Sequence, residues 1–408
     1  MGSVTHLRCR ACGAGYEVGP DYVCSECFGP LEVAYDPSRV AREATRERIV
    51  SGPPTLWRYR ALLPAEPPDD DIRVGFTPLL PARRLGERLG LRGLFIKNDT
   101  INPTWSFKDR VVALAVAAAR RFGFGVLACA STGNLANAVA AHAARAGLRA
   151  VVFVPQGLEA GKVAASAAYG ATIVEVEGTY DDVNRLCTEI AGEHPWAFAN
   201  VNVRPFYSEG CKTLAFEVVE QLGWRLPDHV VVPVASGNLL VKTEKAFGEW
   251  IRLGLVEGAM PHLHGAQAAG CAPVATAFRQ GAEHVRPVRP NTIAKSLAIG
   301  NPADGAYALQ AVRRTGGVVE SVTDEEIVGG IRLLAETEGI FAETAGGVTV
   351  AVVKRLAESG VFAPDDTVVA FVTGGGLKTV DAVASGLPPT IRVRASLREF
   401  ERQVLAAV

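Results

Sequence analysis

Six short runs, Leu94–Lys97, Gly125–Ala130, Arg149–Pro155, Ala171–Val176, Val230–Val234 and Val368–Val372, are apolar almost throughout and alternate with Ala-rich or amphipathic helical windows. A strand apolar on both of its sides has to be covered on both faces, and helices between successive strands supply that cover. The pattern therefore predicts an α/β chain built on open parallel sheets. No internal repeat and no low-complexity tract competes with this reading. With 408 residues there is enough chain for two or three domains.

Three of the strands run straight into small-residue loops and then into helices: "VLACASTGNLANAV", "VVVPVASGNLLV" and "VVAFVTGGGLKTV". In open α/β sheets ligands bind at the carboxyl ends of strands. There a helix start offers free N–H groups to an anion, and glycine lets the backbone come close. Neither common nucleotide fingerprint is met. "TGGGLKT" lacks the Walker spacing, and no loop reads G-x-G-x-x-G with an acid about 20 residues on. The set points to a phosphate-bearing ligand other than ATP or NAD.

Lys108, in "NDTINPTWSFKDR", falls where a helix should begin, beside Phe107. An amine held there can have a lowered pKa and attack a carbonyl. A phosphate loop plus such a lysine is what pyridoxal 5′-phosphate requires. An ion-paired lysine and phosphate-ester chemistry without a cofactor are the other readings of the same residues.

The first 35 residues read as a separate module. Cys9-x-x-Cys12 and Cys24-x-x-Cys27 are separated by eleven residues, a spacing that suits one tetrahedral structural Zn²⁺. Two arginines face Glu17, Asp21, Glu26 and Glu32, so the module is net acidic and a poor phosphate-backbone binder. Residues 36–75 are expected to be a charged helical piece and a Pro-rich connector lying on the surface. Residues 76–408 are expected to form the body, with a smaller subdomain at about 125–205 inserted in a larger one. Cys129, Cys187, Cys211 and Cys271 are scattered and are expected to be buried, reduced thiols.

A formal net charge of −1 gives no field for nucleic acid or an anionic membrane. No apolar run approaches the ~18 residues of a membrane span, and the N-terminus lacks a secretory pattern. A cytoplasmic enzyme of small molecules is expected. His142, His262 and His264 are expected to be structural. Glu343 is expected either to border the ligand or to cap the following helix.

"FTPLLPARRLG", "NPTWSFKDR", "ASTGN" and "TGGGLK", in that order, resemble the threonine synthase branch of the fold type II (tryptophan synthase β-like) pyridoxal-phosphate enzymes. The likeness runs from about Gly75 to about Val383 and includes "EGCKTLAFEV", "GNPADG" and "EGIFAETAGGVTVAV"; the zinc-ribbon extension is also similar to that of many members. The resemblance implies two open parallel-sheet αβα domains plus a small N-terminal zinc ribbon, in a homodimer. It implies that Lys108 anchors the cofactor covalently next to Phe107 and moves protons, and that Asn134 bonds its 3′-oxygen. The loop Ala235, Ser236, Gly237, Asn238 and Leu239 would hold its phosphate, and Thr373 would face the pyridine nitrogen. Ser131, Thr132 and Gly133 would take the substrate α-carboxylate.

The activity implied is conversion of O-phospho-L-homoserine and water to L-threonine and phosphate, by a carbon–oxygen lyase. Arg204, Asn202, Lys295, Ser296, Arg110 and Ser106 are the candidates for the substrate phosphate, Arg204 first because guanidinium suits bidentate phosphate binding. Three departures from the family pattern stand out: "VASGNL" is short of glycine, Gly375 stands where His or Asn is common, and Trp105 stands where a small residue is common. Two other functions fit the same residues, β-replacement on O-phosphoserine and a non-enzymatic metabolite sensor.

Overall fold

A computed structural model describes residues 3–131, 133–156, 160–178, 180–384 and 390–405. Thirteen strands fall into three sheets among these residues. β1 (Val4–Cys9), β2 (Gly15–Tyr16) and β3 (Leu31–Tyr35) form a small antiparallel sheet in the order β2-β1-β3. Next in the chain come β4 (Leu79–Pro81) and β5 (Gly93–Asn98).

A four-stranded parallel sheet of order β8-β7-β6-β9 follows, from β6 (Val126–Ala130), β7 (Arg149–Pro155), β8 (Thr172–Val176) and β9 (Ala197–Phe198). The chain then returns to the sheet of β4 and β5 through β10 (His229–Pro233), β11 (His262–Ala268), β12 (Val319–Val322) and β13 (Thr367–Val372). That six-stranded sheet has the order β12-β11-β10-β13-β5-β4, parallel except for the β4 edge.

The six apolar runs coincide with strands to within a residue or so, because a strand covered on both faces carries its signal in every position. β10 and β13 are buried along almost their whole length, between the helices Asn238–Arg252 and Thr344–Glu358 among others. β4 and β9 carried no comparable signal; they are short and sit at sheet edges.

The connector 36–75 differs from expectation. Helices Pro37–Glu43 and Arg46–Val50 start at Asp36 and Thr45, whose side chains accept backbone N–H bonds. The following turn, however, buries Trp57 and Tyr59 to 1% exposure, with Tyr59 packed on Phe216 and Trp250. These aromatics are part of the core, because a flat ring between charged residues still gains most by leaving water.

His229, His262 and His264 sit at the amino ends of β10 and β11, on the edge opposite the glycine loops. His264 Nδ1 accepts the Val318 N–H at 3.1 Å, so its Nε2 donates to His229 Nδ1 at 3.0 Å, and His229 Nε2 donates to Asp366 at 3.1 Å.

Candidate active site

Lys108 opens the helix Lys108–Arg121 just beyond the carboxyl end of β5. The loop before it is stitched to the end of β13: Phe107 N–H donates to the Thr373 carbonyl at 2.9 Å, and Gly375 N–H to the Trp105 carbonyl at 2.9 Å. Thr104 donates from both its N–H and its hydroxyl to Asp109, at 2.8 and 2.9 Å, and His142 Nε2 joins the same carboxylate at 3.0 Å. His142 is thus structural in the sense expected. Trp105 pays for this path with a left-handed backbone, φ 57°, that a bulky residue rarely adopts.

The Lys108 amine lies 3.4 Å from the Tyr207 hydroxyl and 4.5 Å from the Phe107 ring centroid. Burial lowers its pKa from the ordinary lysine value, with Cys211 and Glu343 pulling the other way. Ser106, fully buried beside it, has a hydroxyl with no hydrogen-bond partner among the described residues, and so does Thr344.

Asn134 starts the helix Asn134–Ala146 and donates its amide to both Glu343 oxygens at 2.9 Å; its own carbonyl oxygen accepts from Lys378 Nζ at 2.8 Å. Glu343 makes no cap bond to the helix it precedes, so the capping alternative falls. Burial raises its pKa, against the opposing pull of Asn134, Lys378 and Lys108. Gly374 packs so tightly that an added Cβ would sit 2.3 Å from a Glu343 oxygen.

The Ala235–Leu239 loop turns through Gly237 at φ 92° into the helix Asn238–Arg252, whose first N–H groups have no partner within the helix and no side-chain cap. A Cβ on Gly237 would meet the Asp304 carbonyl at 2.7 Å. Asn238 lies 3.4 Å from the buried Cys211 thiol. Thr373 is 2% exposed. Ser131 accepts the Gly133 N–H at 3.3 Å, and Thr132 lies outside the described residues.

The candidates for a second anion separate clearly. Arg110 does not fit that role: fully buried, its guanidinium bonds Asp99 at 2.7 Å, Thr213 at 2.9 Å, Thr77 at 3.0 Å and Glu217 at 2.5 and 2.9 Å. Asn202 does not fit either, because both ends of its amide close its own turn, on Phe198 N–H at 2.8 Å and the Trp196 carbonyl at 2.9 Å. Arg204 pairs with Asp304 at 2.5 Å and keeps a quarter of its side chain exposed. Lys295 and Ser296 are exposed on the turn Lys295–Leu297, and no hydrogen bond among the described residues ties them to the Lys108 cluster.

Tyr207, Cys211, Lys378 and Asp304 were missed in the sequence. Cys211, Asp304 and Lys378 lie in segments that carried the family resemblance and Tyr207 just before one of them, but nothing in their spacing announced a role.

The donor set suits pyridoxal phosphate. A partly desolvated amine, an unpartnered buried hydroxyl and a tight helix-start loop converge at the carboxyl ends of β5, β10 and β13. In the ribbon, the Cys9, Cys12, Cys24 and Cys27 sulfurs all lie within 4.8 Å of one another, with Cys9–Cys27 at 3.5 Å and Cys12–Cys24 at 3.6 Å. Those separations are too long for disulfides and match the ~3.8 Å edge of a tetrahedron with Zn–S bonds of ~2.3 Å. The other four cysteines are buried and unpaired with one another, as expected.

The family described as pyridoxal-phosphate dependent enzyme matches residues 71–374. Threonine synthase of Methanocaldococcus jannaschii is 37% identical over 399 residues, 97% of this chain and 98% of that one. That of Methanosarcina acetivorans is 38% identical, over 93% of each chain. Among solved structures, Escherichia coli diaminopropionate ammonia lyase superposes with a TM-score of 0.65 at 19% identity, covering 86% of this chain and 92% of that chain. Threonine deaminase isoform 2 of Solanum lycopersicum gives 0.62 at 22% identity, covering 76% and 88%.

Proposed function

The chain belongs to the pyridoxal-phosphate dependent enzyme family, in its threonine synthase branch, and from that premise we propose that it converts O-phospho-L-homoserine and water to L-threonine and phosphate. The observation that carries this reading is the amine of Lys108, deprotonated more readily than an exposed lysine and set among three glycine-rich strand ends.

Bound pyridoxal phosphate supplies an aldehyde that captures amines and an electron sink for a carbanion. Lys108 would anchor it, the loop Ala235–Leu239 would hold its phosphate, Asn134 its 3′-oxygen, and Thr373 its pyridine nitrogen. A hydroxyl at that nitrogen, unlike a carboxylate, would leave it largely unprotonated. Ser131, Thr132 and Gly133 would orient the substrate α-carboxylate at a helix start.

Lys108 or a neighbour would take first the α-proton and then a β-proton of the substrate, and phosphate would depart from Cγ. Protons returned to Cγ and Cα, with water added at Cβ, would complete threonine. Tyr207, 3.4 Å from the amine, can pass a proton to or from it. Arg204, with its exposed quarter, is the leading holder of the departing phosphate, followed by Lys295 and Ser296.

Zn²⁺ would occupy the four-cysteine site. The ribbon is residues 1–35, the connector 36–75 and the catalytic body 76–408, with the smaller subdomain at about 125–205. The enzyme would act in the cytoplasm as a homodimer on a phosphorylated amino acid, without nucleic acid or membrane partners.

The test compares O-phosphohomoserine with O-phosphoserine on cofactor-loaded protein. Threonine and inorganic phosphate are expected from the first alone. Turnover of phosphoserine with sulfide or sulfite instead would assign β-replacement, since one methylene moves the leaving group.

A further inference from the structure

Arg10 lies inside the first cysteine pair, yet its side chain reaches out of the ribbon. Its guanidinium stacks 3.9 Å from the Tyr307 ring centroid and places Nη1 3.3 Å from Asp304 Oδ1. Arg204 holds the other oxygen at 2.5 Å. Asp304 is 2% exposed and precedes the helix Gly305–Arg314 at the position where an aspartate ordinarily caps. It makes no cap bond there, because both oxygens are taken by the two arginines.

The backbone of Asp304 is what touches the phosphate loop. Its N–H donates to the Ser236 carbonyl at 2.8 Å, and its carbonyl lies so close to Gly237 that a Cβ there would sit at 2.7 Å. A displacement of Asp304 therefore passes directly to the left-handed glycine that aims the first N–H groups of the helix Asn238–Arg252. A second ribbon contact reaches the same helix further along. Glu32 lies 3.7 Å from Lys242 and 3.6 Å from Lys245, and both lysines bond the buried Glu209.

Resting on the functional reading above, we propose that Arg10 is a positioning residue which holds the Ser236–Gly237 loop in register through Asp304. An ordered cysteine ribbon is then a condition for tight binding of the cofactor's phosphate. The ribbon acts on the site without contributing an atom to it.

The experiment titrates pyridoxal 5′-phosphate and, separately, pyridoxal into the full-length apo-protein, following absorbance and, for the phosphate ester, the ³¹P shift of the bound form. Arg10→Met keeps the apolar stem and removes the charge. It should weaken pyridoxal-phosphate binding about tenfold while leaving pyridoxal within about twofold, as expected for one lost charge-assisted contact in a buried chain. Arg10→Lys should recover part of the loss, and Asp304→Asn should reproduce it.

Stripping the ribbon metal with EDTA should produce the same selective loss; unchanged affinity after complete metal removal overturns the dependence on an ordered ribbon. Equal weakening of both ligands, or none, in Arg10→Met overturns the positioning role. If Arg10→Met fails to fold, Asp304→Asn decides by the same criterion. Wild-type protein that takes up neither ligand overturns the functional reading as well, which separates the two failures.

Discussion

Asn134 and Glu343, 209 positions apart in the chain, meet through two hydrogen bonds of 2.9 Å from one amide to both oxygens of one carboxylate. One starts the helix that follows β6 and the other immediately precedes the helix Thr344–Glu358, so the pair joins the two larger sheets at the site. Lys378 closes the cluster on the other end of the amide.

Glu343→Ala leaves that half-buried amide without its carboxylate partner, a loss worth about 1–3 kcal/mol. Cofactor affinity, read by absorbance titration, should fall by roughly tenfold to a hundredfold. Glu343→Gln, which can still accept one of the bonds, should lose much less. Equal affinities in all three proteins would show that the cluster does not support the cofactor.

Arg110 bridges Asp99 and Glu217, with all three groups inside the core. Replacing it by Met leaves the buried Asp99 without its guanidinium and Glu217 with Lys97 alone, and unfolding by urea should show a loss of about 3–5 kcal/mol. The pH dependence follows in sign. Glu217, although its burial opposes ionisation, is held down to about 2 by Arg110 and Lys97, against an ordinary 4.5. Its contribution is present above pH 4.5 and is lost as the pH falls toward 2. In Arg110→Met the folded-state pKa of Glu217 should move back up toward the ordinary value, so this acid limb should be smaller and end at higher pH.

His264 gives a second acid limb. Burial, then the neighbouring His229 and His262, push its pKa down to about 3, from an ordinary 6.5. The neutral ring is required to accept from Val318 while donating to His229. Because the unfolded chain takes up the proton first, stability should be whole above pH 6.5 and decline as pH falls from there toward 3. Chemical denaturation of His264→Gln across this range should show a flatter profile; an unchanged slope would dismiss the histidine chain as the cause.

Trp105 stores backbone strain two residues ahead of Phe107 while its ring stays 57% exposed. Trp105→Gly should gain about 1 kcal/mol on denaturation, since the left-handed region costs a side-chain-bearing residue roughly that much. If the exposed ring contacts substrate, KM for O-phosphohomoserine should rise in the same variant with cofactor affinity unmoved.

The ribbon should carry one zinc per chain, measurable by elemental analysis of purified protein. Cys12→Ser together with Cys27→Ser removes the two exposed ligands and should abolish it. Retention of stoichiometric metal in that variant would place the ion elsewhere.

Much of this molecule was legible before folding was considered. Parallel strands buried on both faces announce themselves as continuous apolar runs, and β7 was bounded to the residue. Lys108 and the glycine loops stood out because a helix start with small residues is a local arrangement. Four cysteines at metal spacing are equally local, and their convergence followed.

Charges were another matter, because an arginine reads alike whether it faces solvent, substrate or another acid. Arg110 and Asn202 looked like ligands in one dimension and are braces in three, each satisfied by partners brought in by the fold. Lys378 and Asp304 became site residues only when the fold brought them to Asn134 and to the Ser236–Gly237 loop, and for Glu343 the fold decided between bordering the site and capping a helix. Chemical type and backbone conformation are written along the chain. Which charges remain free to meet a ligand is decided by the pairing of distant segments.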